Sequence, residues 1–526
     1  MADEPEIWKP KFNPWLIAVV VAMAAFMEVL DTSIANVALP HMAGDLGASN
    51  DESTWVLTSY LVSNAIVLPI SGWLAGLFGR KRFFLLCIFM FTTSSLLCGI
   101  APSLGMLILF RVIQGVGGGG LQPMAQAILA DTFPPQKRGL AFALYGITTI
   151  MAPTIGPTLG GWLTDNYSWR WIFYINLPVG ILTLFLVYRM VEDPPYLARM
   201  KSAGVRVDYI GIGLLALGVG ALQVLLDKGQ EDDWFGSHFI IALVLTSAIC
   251  LIALVFWELH TKTPVIDVRM FKSFNFAVAS LMMFFLGMLL FASLVMMPQF
   301  LQTLMGYTAQ SAGLVLSGAS IIILLEMPVV GQLTTKIPAK YIMAFGWIGL
   351  AFGMYYSTRR LDLLISFSSA SRLRIVQAFG LGFLFVPINL SAYVGVPSEK
   401  GNSVSGLINF MRNIGSSVGT SLVTTVLARR AQFHQSMLGY HATNYDPAFR
   451  DQLAGLSAQL SHVGASPPDA QAQAYGRLYQ GLQVQSQTLA YIDMYQLLAI
   501  AAGIMFLLAF IVRKNDPTSG GHVMAE

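Results

Sequence analysis

Charge is what this sequence has least of. Only 11% of its 526 residues are Asp, Glu, Lys or Arg, whereas a soluble protein has about 25%. Hydrophobic residues make up 55% and the mean hydropathy is +0.63. Apolar stretches recur along the whole chain at about 20 residues, the length with which a helix crosses a bilayer. The composition excludes a soluble protein and predicts an all-α polytopic membrane protein.

The sequence also lacks the usual signs of metal, nucleotide or nucleic-acid chemistry. Its three cysteines, Cys87, Cys98 and Cys250, lie in apolar runs without metal-ligand spacing, so we expect small buried side chains. The glycine run "GVGGGGLQP" (115–123) has no following Lys-Ser/Thr and lies inside a span, which excludes a phosphate-binding loop. The seven histidines show no paired spacing that would indicate a membrane enzyme. We expect no metal, no bound cofactor and no nucleic-acid partner.

Reading apolar runs between charged or Pro/Gly-rich breaks predicts fourteen spans. They are 14–37, 53–76, 82–101, 105–129, 139–163, 171–191, 208–227, 238–259, 274–297, 311–334, 341–358, 373–396, 403–428 and 490–512. We group them as a six-helix bundle (14–191), two inserted helices (208–259) and a second six-helix bundle (274–512).

The distribution of basic residues predicts the orientation in the membrane. Nineteen of the 31 Lys and Arg residues fall in loops on one side, and nine fall on the other. Because cytoplasmic loops are enriched in Lys and Arg, both ends of the chain, residues 1–13 and 513–526, are predicted to be cytoplasmic. The long segment 429–489 is then outside.

The two bundles repeat one another. Gly72 and Lys81 of "GWLAGLFGRK" correspond to Gly331 and Lys340 of "GQLTTKIPAK", 259 residues further on, and "RVIQG" (111–115) corresponds to "RIVQA" (374–378). Spans 1–6 therefore match spans 9–14. Repeated halves of six spans are typical of transporters whose binding site lies between the halves.

Acidic residues inside spans are the first candidates for function. Glu28 and Asp31 lie three residues apart on one helical face, and Glu326 lies in the middle of span 10. Charged side chains at this depth are costly and usually functional. Two neighbouring carboxyl groups in a low-dielectric medium do not both ionise readily, so one of them is a candidate proton carrier. The alternative is a structural role as partners of other polar groups.

A second polar face lies on span 4. Arg111, Gln114 and Gln122 share it with Gly115 and Gly118 at helical spacing, and a lipid-facing Arg111 would be expensive. Arg111 is predicted either to interact with a carboxylate or to bind backbone carbonyls of a neighbouring span.

Five motifs in order resemble the major facilitator superfamily. They are "LDTSIANVALP" (30–40), "GWLAGLFGRKR" (72–82), "RVIQGVGGGG" (111–120), "APTIGPTLGG" (152–161) and "WRWIFYINLPVG" (169–180). Together they are most similar to the fourteen-span drug:proton antiporters of the EmrB/QacA type. The loop motif departs from the family pattern, because Gly76 and Leu77 stand where an acidic and a basic residue are usual. A charge latch at this loop is therefore in doubt, and Arg80 and its basic neighbours could serve only topology.

The resemblance implies roles for particular residues. Proton coupling falls to Asp31, the acid of the first-span motif, with Glu28, Arg111 and Glu326 as further candidates. The substrate-binding candidates are Asn36, Gln114, Gln122, Gln377 and Arg412. The candidates for the conformational switch are Gly72, Gly79, Arg80, Pro153, Gly156, Pro157, Gly160 and Gly161.

The sequence thus predicts an export protein of the bacterial inner membrane that exchanges hydrophobic or amphipathic compounds for protons. The resemblance also implies a periplasmic adaptor and an outer-membrane channel as partners, besides the substrates and membrane lipid. Alternatives are a substrate-specific importer or symporter of the same fold, a membrane enzyme and a channel.

Overall fold

The computed structural model of the protein describes residues 10–194, 207–261, 264–397, 400–440, 442–443 and 445–512. The predicted cytoplasmic end before residue 10, the tail 513–526 and the loop residues Arg199, Lys201, Arg206 and Lys262 lie outside these ranges. The N-terminal half contains α1 (Pro14–Leu46), α2 (Asn50–Phe78), α3 (Arg80–Gly99), α4 (Leu104–Gly118), α5 (Leu121–Thr132), α6 (Pro135–Asn166), α7 (Trp171–Tyr174) and α8 (Asn176–Met190).

The inserted pair consists of α9 (Tyr209–Lys228) and α10 (His238–His260). The C-terminal half contains α11 (Phe274–Thr303), α12 (Ala309–Leu333), α13 (Ala339–Arg360), α14 (Phe367–Ala378), α15 (Gly382–Ala392), α16 (Gly401–Gly439), α17 (Pro447–His462) and α18 (Pro467–Ala509). Short 3₁₀ turns complete the regular structure of the described residues, so the all-α prediction is confirmed.

Twelve segments of the described residues are long and apolar enough to cross a membrane. All fourteen predicted spans are helical, but α13 and α16 are more polar than the others and are not among the twelve. In α16 the polar residues Asn402, Asn409 and Arg412 are buried against other helices, which lowers the hydropathy without exposing charge to lipid. The count of fourteen stays a prediction.

The internal repeat is visible in the side-chain packing. Gly117 on α4 lies against Cys87 and Phe91 of α3. Gly380, 263 residues after Gly117, lies against Gly346 and Leu350 of α13, which are 259 residues after Cys87 and Phe91. Equivalent close approaches in the two halves support the repeat inferred from the motifs.

The two halves pack tightly against each other at one end of the bundle. This end, here called the basic end, carries the α2–α3, α5–α6, α12–α13 and α15–α16 loops. A Cβ on Gly72 would stand 2.9 Å from the Cα of Ser403 across the interface, and one on Gly331 would stand 3.0 Å from the Cα of Leu140. Phe142 also stacks on Tyr393 with ring centroids 5.8 Å apart. The basic end is therefore closed, and glycine permits the contact.

The inserted helix α9 touches both halves. Gln223 and Ser417 of α16 exchange hydrogen bonds at 2.8 and 3.0 Å. On the other side, Thr58 of α2 donates to the carboxylate of Asp227. The helix thus connects α2 and α16 along the seam between the halves.

The segment 429–489, predicted to be a soluble loop with helical periodicity, is built from three helical pieces. α16 continues past its predicted span to Gly439, α17 follows, and α18 begins at Pro467, well before its predicted span. Gly464 has φ +102°, a left-handed conformation that favours glycine, and it ends α17. A small cluster of Leu453, Leu460, Ala470 and Ala474 holds α17 on α18.

Candidate functional site

Asp31 lies in a closed polar cluster inside the N-terminal half. Its side chain is 2% exposed, and its Oδ2 accepts a hydrogen bond from Nη1 of Arg111 at 2.6 Å. Oδ1 accepts from Gln114 Nε2 at 3.0 Å and from Asn176 Nδ2 at 2.7 Å. Arg111 is fully buried, so the two opposite charges neutralise each other within the bundle. Of the two alternatives for Arg111, interaction with a carboxylate is the main contact, although Nε also donates to the carbonyl of Val56 at 3.1 Å.

Asn176 is a member of this cluster that sequence reasoning missed. It begins α8 inside the motif "WRWIFYINLPVG" and also donates to Ser95 Oγ at 3.0 Å. The signal in the sequence is a lone amide in an apolar span, because such side chains usually bind across helices.

Glu28 lies one turn before Asp31 but has a different environment. Its Oε1 accepts hydrogen bonds from the hydroxyl of Tyr60 at 3.2 Å and from Nδ2 of Asn64 at 3.1 Å, and Oε2 accepts from Gln122 Nε2. All three partners are neutral. Within the described part of the chain, no Lys or Arg forms an ion pair with Glu28, although the side chain is only 4% exposed.

A chain of contacts leads from Glu28 across the interface between the halves. The Oε1 atom of Gln122 accepts from Arg412 Nη2 on α16 and from Tyr145 Oη on α6, the latter at 3.2 Å. One turn further, Asn409 Nδ2 of α16 donates to Gln126 Oε1 of α5 at 2.8 Å. One acid of the N-terminal half and one cation of the C-terminal half thus share a single amide.

The two carboxylates differ in the charge of their hydrogen-bond partners. Asp31 is paired with a cation and buried in one half, so a change of its charge would leave Arg111 uncompensated. Glu28 is held by three neutral donors, one of which, Gln122, also contacts the C-terminal half.

Comparison with known proteins assigns the family. A model described as the Major Facilitator Superfamily matches residues 21–420. The chain belongs to the major facilitator superfamily. This confirms the resemblance carried by the motifs, and membership of this family indicates a transporter.

Similar proteins are found over nearly the whole chain. The multidrug export protein EmrB of Haemophilus influenzae is 39% identical over 507 residues, 96% of this chain and 97% of that protein. The fatty acid resistance protein FarB of Neisseria gonorrhoeae is 37% identical over 84% of this chain and 86% of its own. Among solved structures, the proton:xylose symporter XylE superimposes with a TM-score of 0.60 at 14% identity, covering 97% of this chain and 98% of that one. XylE supports the fold alone.

The motif that resembles the family's antiporter motif packs against α1 directly after Asp31. α6 stays helical through Pro153 and Pro157. The carbonyl of Pro153 accepts a hydrogen bond from Ser33 Oγ at 3.1 Å, and Gly156 lies directly against Ser33. Gly160 faces Ile34, where a Cβ would stand 3.0 Å from the side chain, whereas Gly161 has open space beside it. Three of the five predicted switch residues on α6, Pro153, Gly156 and Gly160, thus lie against α1 just after Asp31, and Gly161 does not.

Arg80 has a structural contact beyond its effect on topology. It is 2% exposed and forms an ion pair with Asp131 at the end of α5, so the hypothesis that it serves only topology is wrong. The adjoining Gly79 has φ +88°, a conformation that a side chain rarely adopts. Both residues lie at the basic end, next to the Gly72 contact.

The remaining candidates do not join the Glu28–Arg412 chain. Gln377 is buried in the C-terminal half, where it accepts from Arg374 Nη1 at 3.1 Å and donates to Ser357 Oγ at 2.7 Å. Glu326 is 8% exposed and lies against the backbone of Gly382. Asn36 is exposed on α1. Of the three cysteines predicted to be buried, Cys87 and Cys98 are buried, whereas Cys250 is only half-buried.

Proposed function

We propose that this transporter exports hydrophobic or amphipathic compounds in exchange for protons. The multidrug and fatty-acid resistance functions named for its relatives support export. The sequence has no ATP-binding motif, so an ion gradient is the natural energy source. The observation that carries the proposal is the chain Glu28–Gln122–Arg412, because it links an ionisable group to the contact between the two halves.

In the proposed cycle, Glu28 is the group that exchanges the proton. As a carboxylate it orients Gln122, whose carbonyl oxygen then receives Arg412. A proton on Glu28 removes the charge that holds this geometry, so the contact between the halves weakens. A cationic substrate would take the place of the proton beside Glu28, and the two would compete for one site. Binding of either one would then bias the same rearrangement of the halves.

This assignment differs from the sequence prediction, which favoured Asp31. We propose that the ion pair of Asp31 with Arg111 keeps α1 and α4 in register and stays ionised through the cycle. Proton release on substrate binding, compared between Asp31→Asn and Glu28→Gln, separates the two assignments.

The test of the overall function is exchange in proteoliposomes. Purified protein is reconstituted with a pH gradient, and accumulation of a panel of cationic and anionic dyes is followed with and without an ionophore that collapses the gradient. We expect saturable dye movement opposite to the proton gradient. Movement in the direction of the protons would indicate the symporter alternative, and flux without saturation would indicate a channel.

We also propose the orientation and partners that the family resemblance implies. Both ends would lie in the cytoplasm of a bacterial inner membrane, and the helical segment 429–489 would contribute to docking a periplasmic adaptor that leads to an outer-membrane channel. The projection of α16 and α18 beyond their apolar parts, capped by α17, supports such a role. Deleting 440–480 should spare exchange in proteoliposomes but abolish resistance in cells. Unchanged resistance would contradict docking at this segment.

A further inference from the structure

Tyr60 on α2 lies between the two acidic clusters and touches both. Its hydroxyl donates to Glu28 Oε1 at 3.2 Å. The guanidinium of Arg111 lies over the ring of Tyr60, with its Cζ atom 4.3 Å from the ring centroid. The side chain is 1% exposed, so it fills the space between the carboxylate of one cluster and the cation of the other.

Arg111, which lies against this ring, can donate a further hydrogen bond. Nη1 of Arg111 binds Asp31 and Gln114, and Nε binds the carbonyl of Val56. Nη2 is buried and has no hydrogen-bond partner among the described residues. A guanidinium N–H without a partner in a low-dielectric site would bind a nearby carboxylate strongly. Glu28 lies on the other side of Tyr60.

We propose that Tyr60 is a positioning residue that keeps Arg111 away from Glu28, so that Glu28 remains able to take up and release a proton. The inference rests on the proposed function, in which Glu28 exchanges the proton. The ring gives Arg111 a favourable cation–π contact in place of a second carboxylate. The hydroxyl at the same time gives Glu28 a neutral donor. One side chain therefore contacts the cation of one cluster and the acid of the other, and keeps them apart.

Among the residues that the structure describes, the groups around Glu28 that carry or could carry charge are few. They are Asp31 on the same helix, Tyr60 on α2, Arg111 on α4, Tyr145 on α6 and Arg412 on α16. Only Arg111 is separated from Glu28 by a ring, and only Arg412 reaches Glu28 through an amide. A change at Tyr60 therefore alters the influence of one cation and leaves the other in place.

Tyr60→Phe removes the hydroxyl alone and Tyr60→Leu removes the hydroxyl and the ring, and we expect the two variants to have opposite effects because the cation that reaches Glu28 outweighs the lost neutral donor. Tyr60→Phe keeps the ring and removes one donor from the carboxylate of Glu28. The ionised form is then less stable, and protons displace a cationic dye at higher pH. Tyr60→Leu removes the ring and opens a path from Arg111 Nη2 to Glu28. The ionised form is then more stable, and protons displace the dye only at lower pH.

The experiment measures binding of a cationic dye to the purified full-length protein between pH 5 and 9. We expect the midpoint of the pH dependence to move up for Tyr60→Phe and down for Tyr60→Leu, each by about one unit, the size that one hydrogen bond or neighbouring charge produces. The control is Tyr495→Phe. Tyr495 is fully buried in the C-terminal half and donates to no carboxylate of the described residues.

The outcomes separate this inference from the function on which it rests. Dye binding to the wild type that does not depend on pH would overturn the proposed proton competition itself. A pH-dependent wild type with coincident midpoints for both Tyr60 variants would overturn the role of Tyr60 alone. Shifts in the same direction would show that the ring does not separate Arg111 from Glu28. If Tyr60→Leu does not fold, Tyr60→Met, which also lacks the ring, takes its place, and an unshifted or downward midpoint for Tyr60→Phe contradicts the role of the hydroxyl.

Discussion

The two halves of this transporter place the same Arg–Gln pair in the same position but give the arginine different partners. In the N-terminal half Arg111 donates to Gln114 at 2.8 Å and to Asp31 at 2.6 Å. In the C-terminal half Arg374 donates to Gln377 at 3.1 Å and to Ser293 Oγ at 3.0 Å. Asp31 precedes its arginine by 80 residues and Ser293 by 81, so a hydroxyl stands where the first half has a carboxylate.

This difference teaches that the repeat preserves a scaffold while the ionisable chemistry is concentrated in one half. Both arginines are buried, but among the described residues only Arg111 has a carboxylate against it. The C-terminal half contributes instead through Arg412, which reaches the carboxylate network across the interface. A transporter of two similar halves can thus place its proton site on one side and its sensor of that site on the other.

The largest expected effect concerns movement between the halves. In a background without Cys87, Cys98 and Cys250, the pair Gln223→Cys and Ser417→Cys can be joined by a short bifunctional thiol reagent. Because these residues bind α9 to α16 across the seam, we expect the link to lower dye exchange at least tenfold. Each single cysteine variant with the reagent is the control. Exchange that continues in the linked protein would mean that this contact persists through the cycle.

The next effect tests whether the two arginines differ in how much their removal destabilises the protein. Arg111→Met leaves Asp31 as an unpaired buried charge, which costs about 3–5 kcal/mol. Arg374→Met leaves the neutral acceptors Gln377 Oε1 and Ser293 Oγ without this donor but leaves no carboxylate unpaired, and we expect a smaller cost of about 1–3 kcal/mol. Thermal unfolding in detergent measures both. Equal losses of stability would contradict the comparison of the halves.

A smaller effect follows from giving the C-terminal half the missing acid. Ser293→Asp places a carboxylate beside Arg374, and a hydrogen bond to a charged group contributes about 1.5–3 kcal/mol. Ser293→Asn has the same size without the charge and is the matched control. We expect a higher unfolding temperature for the aspartate variant than for the asparagine variant. The reverse order would mean that Arg374 is already neutralised in another way.

The sequence predicted the helical fold, the repeat and a carboxylate as one of two alternative partners for Arg111, because these follow from hydropathy, spacing and the cost of a charge in lipid. It missed Tyr60, Asn64 and Asn176. A tyrosine or amide in an apolar run does not reveal its partner, since partners depend on how neighbouring helices rotate and approach. The contact of Gln122 with both Glu28 and Arg412 was hidden for the same reason.

Hydropathy also set the limits of the span prediction. It ended span 13 at residue 428 and began span 14 at residue 490, where the apolar residues end and begin. The helices are longer, because α16 continues to Gly439 and α18 already begins at Pro467. Backbone hydrogen bonds extend a helix into water, and local packing such as that of α17 on α18 stabilises the extension.

The central claim, that Glu28 rather than Asp31 exchanges the proton, is tested most directly by counting protons released when substrate binds. Purified protein in weakly buffered detergent solution is mixed with a cationic dye, and a pH indicator reports the release. The account predicts release by the wild type and by Asp31→Asn, and none by Glu28→Gln, with Glu28→Asp restoring it. Release by Glu28→Gln together with its loss in Asp31→Asn would contradict the account and return the coupling role to Asp31.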